Sequence, residues 1–304
     1  MMAVTPVLPY VVADPGVAGG LLVAGGWYWL GVRRLWRGAG VGHGVSRTSA
    51  RLYAAGLLVL AAALLSPLDA LAEDLFSAHM IQHLLLITVA APLLVLGRPL
   101  VAALWALPSR WRAGLGRWWG TRPGARTALA ILGIPGVAWT MHALALALWH
   151  VPSLYDAALR RDALHAVEHV SFVVTACVFW WMVLPGTGRT RLGYGSAILS
   201  VTAMGAAMGI YGAVLTFGRS PWYSGHAPRT GAWGLTPLAD QQLAGLIMWI
   251  PAGVVYLGAA LWCFAEWLRL EGRRAAAAQV PAAGRADDGI PAISGVSGGT
   301  RGRR

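Results

Sequence analysis

Residues 79–96 read HMIQHLLLITVAAPLLVL, a stretch with no Asp, Glu, Lys or Arg. A helix needs about 20 mostly apolar residues to cross the hydrocarbon layer of a bilayer. This stretch therefore reads as a transmembrane span, His79–Leu96, that opens on two histidines. Working outward, six further apolar runs have the same character: Gly16–Val32, Arg51–Leu65, Thr127–Trp149, Ala163–Leu184, Tyr194–Phe217 and Gln241–Leu268. The first two are short or interrupted by Gly. The expected fold is all-α, a polytopic membrane protein with a seven-transmembrane-helix bundle. The composition agrees, with 57% apolar and 12% charged residues in 304 and a mean hydropathy of +0.58. That balance excludes a disordered or fibrous chain and argues against an ordinary soluble domain. Neither a basic n-region nor an A-x-A site precedes the first span, so no cleaved signal peptide is expected. Residues 1–271 are expected to form the transmembrane domain, and 272–304, rich in Ala, Gly and Arg, a disordered basic cytoplasmic tail.

Charge placement predicts the orientation. The net charge is +12, and all 24 basic residues are arginines. Twenty fall between spans 1 and 2, 3 and 4, 5 and 6, or after span 7. The other side carries only Arg160, Arg161, Arg219 and Arg229. The positive-inside rule then predicts the N-terminus outside and the C-terminus in the cytoplasm of a multi-pass cell-membrane protein. Insertion into the lipid bilayer accounts for the basic excess, and no nucleic-acid partner is expected. The segment Leu100–Trp119 mixes Trp with Arg and reads as an interfacial anchor. The loop Gly218–Ala239 is long enough to cap a site but shows no regular pattern. Cys177 and Cys263 form neither a CxxC nor a disulfide framework.

Histidine placement carries the chemistry. His43 and His226 fall in loops, while His79, His83, His142, His150, His165 and His169 lie in spans or at their ends. Given the predicted orientation, these six sit in the outer half of the membrane, with His142 about 12 Å deeper than His150 on the same helix. Ionisable groups at membrane depth are costly, which makes them functional candidates. His79/His83 and His165/His169 are i,i+4 pairs, each on one helix face. Two such pairs at matching depth can present four imidazoles to one ion. Imidazole suits copper, zinc, iron and nickel, and the Met80 thioether adds softness that favours Cu(I). His150 is a fifth candidate ligand. Glu168, Asp240, Gln82 and His142 are auxiliary candidates, carboxylates being able to orient a ligating imidazole through its second nitrogen. Met204 and Met208 read as packing residues.

Two other chemistries fit the same residues. Facing histidines from two helices can hold haem by its axial positions. The string His165-Ala166-Val167-Glu168-His169 matches H-x-x-E-H, in which the Glu serves as general base of a zinc peptidase. That reaction needs a third protein ligand, which Asp240 is placed to supply. The match is short and lies in an apolar helix, so no catalytic turnover is expected.

Three stretches together resemble the CtaG family of cytochrome c oxidase assembly factors, which are seven-helix membrane proteins. They are Ser66-Pro67-Leu68-Asp69 leading into Ser77-Ala78-His79-Met80-Ile81-Gln82-His83-Leu84-Leu85; Leu148-Trp149-His150-Val151-Pro152 with Tyr155-Asp156-Ala157, His165 to His169, Phe172 and Phe179-Trp180-Trp181; and Asp240-Gln241-Gln242-Leu243-Ala244-Gly245 with Met248-Trp249. They cover about two thirds of the chain. The resemblance implies a role in maturing a haem–copper oxidase at the stage of copper insertion, with oxidase subunits as partners and the histidine-rich outer face as the working region.

Overall fold

The structure is a computed structural model that describes residues 14–124, 127, 131, 134–184 and 192–279. Every regular element among them is helical. In chain order they are α1 (Pro15–Ala39), α2 (Arg47–Leu64), α3 (Pro67–Asp74), α4 (Phe76–Leu96), α5 (Pro99–Ala106), α6 (Ser109–Thr121), α7 (Pro135–Trp149), α8 (Pro152–Leu159), α9 (Asp162–Val183), α10 (Tyr194–Thr216) and α11 (Pro237–Gln279). A 3₁₀ turn, Thr230–Trp233, lies between the last two.

Five helices are long and apolar enough to cross a membrane: α2, α4, α9, α10 and the Pro237–Ala276 portion of α11. They coincide with five of the seven expected spans. The fourth expected span corresponds to α7, whose apolar part Gly136–Trp149 is shorter; much of its expected first third lies outside the described residues. The first corresponds to α1, which carries Arg33, Arg34 and Arg37 in its C-terminal half. The chain divides into two units, Met1–Ala265 and Glu266–Arg304. In the second, Arg269 pairs with Glu266 and Arg274 with Glu271, each at 2.6 Å. Helix α11 continues to Gln279, beyond the start of the expected tail at 272, and 280–304 lie outside the described residues.

Local chemistry explains the helix starts. Asp14 caps α1, accepting from the Gly16 N–H at 2.7 Å with Pro15 at the first position. Ser46 and Ser66 cap α2 and α3 in the same way, each satisfying donors that a helix N-terminus leaves orphaned. Close approach between helices uses small residues. A methyl group on Gly212 of α10 would lie 2.6 Å from the Gly245 carbonyl oxygen of α11, and one on Gly245 would lie 2.5 Å from that of Gly212. An alanine at either site would force the two helices apart.

Helix α4 is not uniform. Its middle, Leu85–Ala90, is π-helical and runs up to Pro92. The Ala91 N–H reaches back five residues to the Leu86 carbonyl. The next carbonyl in that register, Ile87, would need an N–H from residue 92, which is proline. The indole Nε1–H of Trp180 on α9 supplies the bond instead, at 2.8 Å. This contact ties α4 to α9 about one turn beyond His83.

Candidate metal centre

The first turns of α4 and α9 meet at one end of the bundle, and the four paired histidines face one another. Ring centroids lie 4.2 Å apart within each pair, His79–His83 and His165–His169. Across the helices, His79–His165 and His83–His169 are each 5.2 Å apart. The diagonal His79–His169 is 6.0 Å. Donor atoms of His79, His83 and His169 lie within 4.8 Å of one another, and so do those of His79, His165 and Glu168. His79 and Glu168 are buried to 1% exposure or less.

The polar atoms of this cluster lack hydrogen-bond partners. Both ring nitrogens of His79 and of His83, Nε2 of His165 and of His169, and both Glu168 oxygens are buried and unpaired. His83 Nε2 and Glu168 Oε1 approach to 3.6 Å. The Ala72 carbonyl is near His79 without closing a hydrogen bond. An unmet buried polar group costs about 1–3 kcal/mol. A tetrahedral ion bound at about 2.0–2.1 Å by nitrogen holds its donors about 3.4 Å apart. Small side-chain rotations bring either group to that spacing, so the residues fit a metal ion that imidazole nitrogens favour.

The surrounding residues hold the two helix starts in place. Helix α4 has no cap of its own, since Leu75 precedes it. Asp240, at the start of α11, supplies the cap from a distance. Its Oδ2 accepts from the Phe76 N–H at 2.7 Å and its Oδ1 from the Ser77 N–H at 3.0 Å. Asp240 therefore acts on the cluster by fixing the turn that carries His79. Gln82 anchors the other side of that turn, its Nε2 donating to the Ala63 carbonyl at 2.9 Å and to Asp69 Oδ1 at 2.7 Å. Burial raises the Asp69 carboxyl pKa, and the Gln82 bond partly offsets this. Met80 is buried but sits about 100° round the helix from His79.

The other two predicted histidines, His150 and His142, have neighbours of their own. His150 Nδ1 donates to the Leu146 carbonyl at 2.7 Å and its ring stacks on Tyr211. This leaves Nε2 as an unpaired lone pair. His142 Nδ1 lies 3.0 Å from the Thr175 hydroxyl, which itself donates to the Ser171 carbonyl and so accepts from the imidazole. Neither histidine belongs to the two converging groups.

Residues 26–270 match the family described as cytochrome c oxidase caa3 assembly factor. The chain belongs to this caa3 assembly-factor family. It is 28% identical over 223 residues to the uncharacterized protein Mb0105 of Mycobacterium bovis and, to the same degree, to the uncharacterized protein MT0111 of Mycobacterium tuberculosis. These alignments cover 68% of this chain and 32% of each relative, so the chain spans about a third of the length of the curated relatives it matches. No solved structure matches it.

One residue of this caa3 assembly-factor chain escapes the helical histidine pattern. His226, in the loop between α10 and α11, is 2% exposed and its ring lies 6.0 Å from that of His79. Its Nδ1 donates to the Glu73 carbonyl at 3.1 Å. Nε2 is then a lone pair and accepts from the Tyr155 hydroxyl at 2.7 Å. Burial lowers the His226 pKa below the ordinary histidine range. The loop is pinned over the cluster end by Asp156, which accepts from Ser224 and from the Gly225 N–H. Gln241 adds a contact by accepting from the Trp222 N–H at 2.7 Å, and the Tyr223 hydroxyl donates to the His150 carbonyl at 2.9 Å. A lone histidine in a Pro- and Gly-rich loop gives little local signal. The aromatic, acidic pair Tyr155-Asp156, which grips this loop, is the feature that points to it.

Proposed function

We propose that this chain is a multi-pass cell-membrane assembly factor that takes up copper at His79, His83, His165 and His169 and passes it to a subunit of a caa3-type cytochrome c oxidase. The observation that carries this reading is the set of buried imidazole nitrogens from two helices that converge without hydrogen-bond partners. Neutral imidazoles suit Cu(I), and the family supplies a client that requires copper. Copper is cargo here, and no catalytic turnover is part of the role.

In this reading seven helices span the membrane: α1, α2, α4, α7, α9, α10 and α11. The arginine distribution supports an external N-terminus, which places the histidine cluster at the outer surface. A C-terminal reporter active only outside the cytoplasm would contradict that orientation. Haem is less well suited. Its flat macrocycle has to lie between two opposed imidazole edges, whereas His79 and His165 stack face to face at 5.2 Å. Peptidase chemistry is also less well suited, because both Asp240 oxygens accept from α4 amides.

The test is copper analysis of the purified full chain beside H79A/H83A/H165A/H169A. The proposal expects stoichiometric copper in the first and none above background in the second. Equal copper in both would overturn it.

A further inference from the structure

The cluster offers two sets of donor atoms, and they share one residue. His79, His83 and His169 form an all-imidazole group, while His79, His165 and Glu168 form a mixed group with a carboxylate. Building on the copper reading above, we propose that the site has two positions for one Cu(I) ion, a holding position and a release position, with His79 as the ligand common to both.

Depth along the two helices and donor chemistry assign the positions. His83 is 4% exposed and lies one turn further into α4 than His79. It packs against the Phe172 ring at 4.8 Å. His169 lies one turn further into α9 than His165. The His79–His83–His169 group is therefore the deeper one, and three neutral nitrogens suit a soft monovalent ion. His165 and His169 are both only partly buried, but His165 occupies the first turn of α9, next to the bundle end. The group it forms replaces one imidazole with the harder Glu168 oxygen, which holds Cu(I) less well. His83 and Glu168 approach to 3.6 Å, so the two groups adjoin.

Exchange between the positions keeps His79 bound throughout. The ion leaves His83 and His169 as it gains His165 and Glu168, so it is never bare inside an apolar bundle, where an isolated charge is costly. No bond other than the metal–ligand bonds changes, and no electron is transferred. The design resolves a conflict in cargo handling: a closed three-imidazole site binds well but releases slowly. A second, weaker set sharing one ligand opens a path outward, and changes in release rate are the usual way affinity is tuned.

The experiment loads the full-length detergent-solubilised chain with Cu(I) and mixes it with excess bicinchoninate, following the chelate absorbance by stopped flow. Copper stoichiometry, nitrogen coordination from X-ray absorption, and release rate are read for the parent chain and for E168Q, H165N and H83L. E168Q and H165N should keep stoichiometric copper and the same nitrogen coordination, and release it at least about tenfold more slowly. H83L should retain copper in the weaker position, show a carboxylate oxygen among the ligands, and release it faster. E168Q is near-isosteric and guards against a folding artefact in H165N. Unchanged release in E168Q, or the same direction of change in H165N and H83L, would overturn the two-position site. The copper reading fails separately, if the variant lacking all four histidines binds as much copper as the parent chain.

Discussion

The two halves of α4 treat buried polar groups in opposite ways. Beyond Leu85 the helix is apolar, with Leu86, Ile87, Ala90 and Ala91 buried. The polar groups there are met: Thr88 donates to the Leu84 carbonyl at 2.8 Å, and Trp180 donates to the Ile87 carbonyl that Pro92 leaves unmatched. Before Leu85 the helix buries His79 and His83 with all four of their ring nitrogens unpaired. One helix, packed against the same α9, thus repairs a missing backbone bond in one half and leaves side-chain nitrogens open in the other. Buried polar groups in native proteins normally find a partner. The contrast is what the proposed copper site rests on, with the first half supplying its histidines and the second half packing against α9.

Substitutions in the two halves should therefore differ in size and even in sign. The largest loss is expected for Trp180→Phe, which leaves the Ile87 carbonyl unmet and trims a buried ring. Thermal unfolding of the copper-free protein in detergent should show a loss of about 2–3 kcal/mol. Asp240→Ala comes next, removing the cap of the turn that bears His79. About 1–2 kcal/mol of stability should go, together with copper affinity measured by chelator competition; affinity equal to that of the parent chain would detach Asp240 from the site. For Tyr155→Phe, which uncovers the His226 lone pair, the expected cost is about 1 kcal/mol, and hydrogen exchange of the 218–234 loop should rise. The smallest effect belongs to His83→Leu, which swaps an unpaired imidazole for an apolar group of similar size. The copper-free variant should match or exceed the parent in stability. Destabilisation as large as that of Trp180→Phe would mean that His83 is a satisfied structural residue, and the contrast between the two halves would be lost.

Periodicity made the histidine-bearing helices legible. The His79/His83 and His165/His169 spacings place each pair on a face, and the long apolar runs supply the rods that carry them. Five of those runs are helices of spanning length and character. What sequence spacing does not carry is contact between distant segments. Asp240 caps a helix that starts 164 residues earlier, so its position before an apolar run reads as the start of its own helix. His226 meets Tyr155 across 71 residues and Glu73 across 153, and a loop has no period from which to infer either. The missing donor was closer to reach, because Pro92 stands within the 79–96 stretch. Its repair by Trp180 again depends on a partner helix. His150 shows the reverse limit: it sits at the right end of its helix, yet its ring packs on Tyr211 rather than joining either converging group.

The most direct measurement is copper K-edge X-ray absorption on the Cu(I)-loaded full-length protein. Grouped imidazoles predict a first shell of nitrogen at about 2.0 Å, with the outer-shell scattering of imidazole rings, and its loss in H79A/H83A. A first shell dominated by sulfur at about 2.3 Å, or a nitrogen shell unchanged in H79A/H83A, would contradict it.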